Sequence, residues 1–207
     1  MVKQTPEYRA FKYLQHWLKE DDIQKLKAAL SDGSSLFSYL LSKTEELYAQ
    51  LPKRKDGQEA LLHPLNVVLA LRDAKINDQV TLSVGLLHDY VEEVVDVYRD
   101  ELGLDEEGSD IEKLDQYEEE VFVKLEQDLL QHAPPDAVKT IISALKLLTR
   151  HKRDFYYRSI SNIFNHNDEK LKEIAIQVKL ADRTHNILSI ENFTEENRNY
   201  QCFKNLF

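Results

Sequence analysis

The side chains best suited to chemistry stand in one stretch, Gly85-Leu86-Leu87-His88-Asp89-Tyr90-Val91-Glu92-Glu93-Val94. On a helix turning about 100° per residue, with His88 at 0°, Glu92 lies at about 40°, Asp89 at about 100° and Glu93 at about 140°. Four groups able to bind a metal or move a proton therefore share one side of two turns. Gly85 falls at about 60° in the same arc, and its missing side chain is expected to leave room for a metal or a phosphate. Val80, Val84, Leu87, Val91, Val94 and Val95 occupy the neighbouring arc and should face the core. The alternative is a surface charge cluster beside a structural histidine. A lone His-Asp pair would favour it; a glycine and two more carboxylates on the same arc favour function.

Two more segments contribute. In Val178 to Ser189, Asp182, Asn186 and Ser189 follow i, i+4, i+7 spacing, and Lys179 precedes Asp182 by one turn. They line one helix face beside Ala175 and Val178, as expected where a helix borders a cleft. Ordinary surface charges are the alternative for Asp182 and Arg183. His63 stands immediately before Pro64, which is well tolerated in a first helical turn. A side chain there projects from a helix N-terminus, a place that also favours anions. Alone, such a histidine is more often structural than a ligand. Together His63, His88, Asp89 and Asp182 supply two imidazoles and two carboxylates, a set suited to Mn²⁺, Fe²⁺ or Zn²⁺. Such an ion polarises a phosphoryl oxygen and lowers the pKa of bound water towards ~7.

The elements that must position these groups read as helices. Only 5 Gly and 5 Pro occur in 207 residues, and no convincing period-2 run bounded by turn residues is present. The pattern predicts helices over about Pro6–Glu20, up to Leu30, over Leu36–Ala49, from Pro64, and over Asp78–Tyr98. It predicts others through the acidic stretch to Gln131, over Asp136–Arg150, Phe155–Phe164 and Asp168–Glu191, and in a tail from Glu195. Residues 51–58 and 103–110 read as loops. The fold class is thus all-α, one domain over 1–207. Within it, 1–50 are N-terminal helices of unclear role, 54–189 a motif-bearing core, and 96–131 an acidic insertion read as a solvated helix.

The net charge of −10 argues against broad nucleic-acid binding. A phosphorylated small molecule then needs local cations or a metal. Leu148-Thr149-Arg150-His151-Lys152-Arg153, with Tyr156-Tyr157-Arg158 after it, is a local excess of positive charge, read evenly as a phosphate contact or a solvated loop. Cys202 is the only cysteine, so neither an internal disulfide nor a thiolate cluster is expected. Neither a signal peptide nor a membrane-spanning run is read, and the expected location is the cytoplasm. The partner expected is a small-molecule nucleotide, with no nucleic acid and no membrane.

The ordered His63, His88-Asp89 and Asp182 resemble the signature of the HD phosphohydrolase superfamily. Three stretches more narrowly resemble the (p)ppGpp hydrolase domain of RelA/SpoT proteins and the stand-alone small alarmone hydrolases. They are Arg54-Lys55-Asp56-Gly57 leading to His63-Pro64, Leu86-Leu87-His88-Asp89-Tyr90-Val91-Glu92-Glu93, and Lys179-Leu180-Ala181-Asp182-Arg183-Thr184-His185-Asn186. The resemblance implies an HD-type helical bundle with one metal between its helices, usually Mn²⁺, held by His63, His88, Asp89 and Asp182. It implies that Glu92 and Glu93 orient or activate the attacking water. It further implies that Arg54 packs on guanine, Lys55 and Asn186 contact the nucleotide and its phosphates, and Ser189 meets the ribose; Lys179 is added to the substrate side. The implied reaction removes the 3′-pyrophosphate of (p)ppGpp. Glu93 stands where the family has Asp, Val94 where it has Thr, and the segment after Glu93 is much longer. The alternatives are a general HD phosphomonoesterase or phosphodiesterase on another nucleotide, and a non-catalytic nucleotide sensor that keeps the shell.

Overall fold

Helix starts are set by side chains that take up the leftover N–H groups of a first turn. Asp22 accepts from Lys25 N at 3.0 Å, Ser34 from Phe37 N at 3.1 Å, and Asp78 from Thr81 N at 2.8 Å. Asp168 accepts from both Lys170 N and Leu171 N. Pro135 opens its helix, where a missing N–H costs nothing. The computed structural model describes residues 20–31, 33–53, 58–105, 110–151, 155–190 and 194–204.

Among these residues the chain is all-helical, with no strand. The helices are α1 (Ile23–Leu30), α2 (Ser35–Tyr48), α3 (Leu62–Asp73), α4 (Gln79–Leu87), α5 (Tyr90–Leu102), α6 (Asp110–Leu129), α7 (Pro135–Leu148), α8 (Tyr156–Phe164), α9 (Glu169–Leu188) and α10 (Glu195–Lys204). The expected helix over Pro6–Glu20 lies almost wholly outside the described residues. No helix among the described residues is long and apolar enough to cross a membrane.

The centre of the core is α3 and α4. From Leu62 to Val68 every residue of α3 is buried, as is every residue of α4 from Thr81 to Leu87. Helix α3 packs on α1, α4 and α9, while α4 packs on α2, α7 and α9. The three helices α3, α4 and α9 therefore touch pairwise, and that junction positions the site.

Two expectations change. The single helix expected over Asp78–Tyr98 is two helices, interrupted at His88-Asp89, where Asp89 has φ −104° and ψ 0°. The cause is local competition: His88 Nδ1 lies 2.8 Å from Gly85 O, the acceptor that a continuous helix would offer to the Asp89 N–H. The acidic stretch is also more than a solvated helix. Its outer face is exposed at Glu112, Gln116, Glu119 and Glu120. Its inner stripe of Leu114, Val121, Phe122, Leu125 and Leu129 belongs to the main core, packed on α5 and α7. Charge density alone hid that stripe, whose spacing is that of an amphipathic helix.

Candidate metal centre

His63 projects from the first turn of α3, His88 follows the last turn of α4, Asp89 precedes α5, and Asp182 stands on α9. They come from three separate segments of the chain and approach one place. His63 Nε2 lies 3.2 Å from His88 Nε2, 3.4 Å from Asp182 Oδ1 and 3.5 Å from Asp89 Oδ2. His88 Nε2 lies 3.1 Å from Asp89 Oδ2. Ligand atoms of His63, His88 and Asp182 all fall within 4.8 Å of one another, and the three residues are buried.

These distances fit an ion. Donors bound at about 2.0–2.2 Å around one metal stand roughly 3.0–3.5 Å apart in tetrahedral or octahedral geometry. The donor orientation fits as well. Gly85 O can only accept, so His88 Nδ1 donates to it, and a neutral His88 then turns the Nε2 lone pair towards the centre. His63, His88 and Asp182 could thus hold a divalent cation, and the half-buried Asp89 carboxylate stands beside the two imidazoles.

The electrostatics of the group show what such a cation would balance. Burial opposes a charged His88, but Asp89 and Asp182 outweigh it and raise its pKa. Burial pushes Asp182 up, yet Lys179, His63, Arg183 and His88 together hold it well below the usual carboxylate range. Burial likewise raises Asp89, and His88 and His63 outweigh it to leave that carboxyl well below its ordinary value. A buried carboxylate and a half-buried one beside it draw positive charge, whether a proton on His88 or a metal.

Asp182 is the most heavily held group. Lys179 Nζ lies 3.2 Å from Oδ2, Arg183 Nη2 donates to Oδ2 at 2.9 Å, and Asn186 Nδ2 donates to Oδ1 at 2.5 Å. Lys179 and Asn186 therefore position the Asp182 carboxylate, and Asn186 also lines a cleft of about 370 Å³ that opens beside His63, Asp89 and Asp182. Glu93 lines that cleft. Glu92 does not: its Oε1 accepts the Arg150 N–H at 2.9 Å, tying α5 to the end of α7. Ser189 is fully buried at the end of α9 and is not part of the cleft lining. Arg54 and Lys55 lie outside the described residues, as do Lys152 and Arg153. Of the positive segment after α7, His151 Nδ1 lies 3.0 Å from Glu118 Oε1 and 3.8 Å from Asp115 Oδ1.

Gly85 also has a different role from the one its spacing suggested. A Cβ there would stand 2.6 Å from Leu71 Cδ1, with Val67 and Val68 next. The missing side chain lets α4 approach α3 and leaves no space for a ligand. Sequence reasoning also passed over His185, whose Nδ1 lies 2.8 Å from His63 Nδ1 in a buried contact. If His63 Nε2 carries the lone pair for a metal, its Nδ1 bears the proton and donates to His185 Nδ1. The available signal was its position, three residues after Asp182 on the same helix. Loss of such a partner typically lowers metal affinity about 10–100-fold. His185→Phe should therefore weaken Mn²⁺ binding by that much in a chelator competition, and equal affinity in the two proteins would remove His185 from the centre.

Comparison with known proteins found no matching family model, no matching curated protein and no matching solved structure.

Proposed function

We propose that the chain is a metal-dependent phosphohydrolase acting on a nucleotide, and that its reaction resembles 3′-pyrophosphate removal from (p)ppGpp. The observation that supports this most is the approach of His88, Asp89 and Asp182 to His63 Nε2 at 3.2–3.5 Å. An ion held there, Mn²⁺ by the resemblance, supplies Lewis acidity towards a phosphoryl oxygen and an attacking water. Glu93 borders the same cleft, within which it would take the proton of that water. Hydrolysis adds the water oxygen to the phosphorus joined to the 3′ oxygen and breaks the bond between them. The 3′ oxygen leaves with a proton, giving GDP or GTP and pyrophosphate. His185, Lys179, Arg183 and Asn186 hold the ligands in place, which lowers the reorganisation needed during the reaction.

A broader hydrolase of other nucleotides is the second reading. Glu92 accepts from the Arg150 backbone, so of the two adjacent glutamates only Glu93 lines the cleft. The experiment is an assay of the purified full chain with Mn²⁺ and ppGpp. Pyrophosphate release that stops on chelation and returns with Mn²⁺ is the expected result. Absence of release at millimolar ppGpp rejects the alarmone reaction, and turnover of nucleoside monophosphates or cyclic nucleotides instead selects the second reading.

A further inference from the structure

The cleft beside the metal-binding group is lined by two kinds of chemistry. One part carries Asp89, Glu93 and Asp182. Another part comes from α10 and carries Asn197, Tyr200 and Gln201, residues at i, i+3, i+4 spacing that share one helix face. Tyr48 adds a second phenol. Helix α10 buries none of its residues, and Tyr200 remains 52% exposed. Lys204 Nζ stands 4.3 Å from the Tyr200 ring centroid.

This phenol-and-amide wall, with the Lys204 ammonium against the Tyr200 ring, is held in register with the metal-binding group. Arg183 donates to Asp182 through Nη2 and to Gln201 Oε1 through Nη1 at 3.0 Å. Tyr157 fixes the far end of α10, donating to Phe203 O at 3.1 Å and meeting the Phe203 ring edge-on. Among the described residues, the one Lys or Arg in the cleft lining is Arg183, which is committed to Asp182. The α10 face presents to the cleft a phenol ring and two side-chain amides. It suits a planar, uncharged body with donors and acceptors along its edge, because a phenol ring stacks on such a face and side-chain amides both donate and accept.

We propose that α10 is the nucleobase-recognising wall of the cleft. Tyr200 stacks on the base, the Asn197 and Gln201 side chains flank its edge, and the phosphates lie towards His63, Asp89 and Asp182. The proposal rests on the nucleotide phosphohydrolase reading, since it needs a ligand with both a base and phosphates.

The test uses the two products of the proposed reaction as probes. GDP and inorganic pyrophosphate are each titrated into the Mn²⁺-loaded full chain, as wild type, Tyr200→Ala, Tyr200→Phe and Asn197→Ala. Tyr200→Ala is expected to weaken GDP binding roughly tenfold, with Tyr200→Phe within about twofold of wild type because stacking survives. Asn197→Ala should weaken GDP alone. Pyrophosphate and Mn²⁺ affinities should not move. Unchanged GDP binding in Tyr200→Ala overturns the proposal, and so does a matching loss of pyrophosphate or Mn²⁺ affinity, which would mean a structural role. A wild type that binds pyrophosphate but no GDP removes the base wall and leaves phosphohydrolysis standing. A wild type that binds neither probe and hydrolyses no nucleotide ends both.

Discussion

Asp182→Asn should abolish metal loading and, with it, turnover. The substitution keeps shape and removes the charge that a buried cation needs. Loss of a second-layer partner already costs about 10–100-fold in metal affinity, so loss of a ligand charge should exceed about 100-fold. The effect reaches stability because Asp182 also balances Lys179 and Arg183. Breaking a buried pair on one side costs about 3–5 kcal/mol. Here the two cations keep 22% and 16% of their side-chain surface in solvent, which reduces the expected cost to about 2–3 kcal/mol. Thermal unfolding separates the two effects. At a hundredfold excess over its Kd, Mn²⁺ should add about 2.7 kcal/mol to the wild type, and nothing to Asp182→Asn, whose metal-free form should also melt earlier. A full Mn²⁺-dependent shift in the variant would place the metal elsewhere.

Gly85→Val is the second large effect. At Gly85 the space for a Cβ is already occupied by Leu71, 1% exposed and locked in the core. For Gly85→Ala, overpacking of about 1–3 kcal/mol is set against about 1 kcal/mol of gained helix propensity, so the net loss is small. Valine adds two methyl groups and a restricted χ1, and strain should win by about 3 kcal/mol. The strain falls one turn before His88, whose Nδ1 bonds to Gly85 O. Mn²⁺ affinity should therefore drop along with the denaturant midpoint. Trimming Leu71 to Ala in the same chain should offset part of the loss, with a coupling of at least about 1 kcal/mol. Strict additivity of the two substitutions would show that the contact with α3 is not the cause.

Much of the fold was legible because it rests on local chemistry. Asp22, Ser34, Asp78 and Asp168 announce helix starts, and Pro135 announces another. His63, His88, Asp89 and Asp182 could be picked out because few structural needs gather two imidazoles and two carboxylates. What the sequence hid depends on contacts between distant segments. The break at His88-Asp89 has no glycine or proline at it; a side chain competing for a carbonyl makes it. Gly85 resembled a vacancy for a ligand, and only the position of Leu71 shows that a helix fills it. Glu92 and Glu93 are neighbours with the same chemistry, and the Arg150 N–H separates their roles. His185 was visible as a residue but not as a partner, since its contact spans 122 positions.

The break before α5 also governs traffic. His63, His88 and Asp182 are sealed by protein, with side chains 5%, 2% and 3% exposed, whereas Asp89 keeps 31% of its side chain in solvent. Among the described residues, the group opens to solvent on the Asp89 side, where Glu93 also stands. An ion held there would enter by the same opening as a ligand of the cleft, so an occupant of the cleft would trap it.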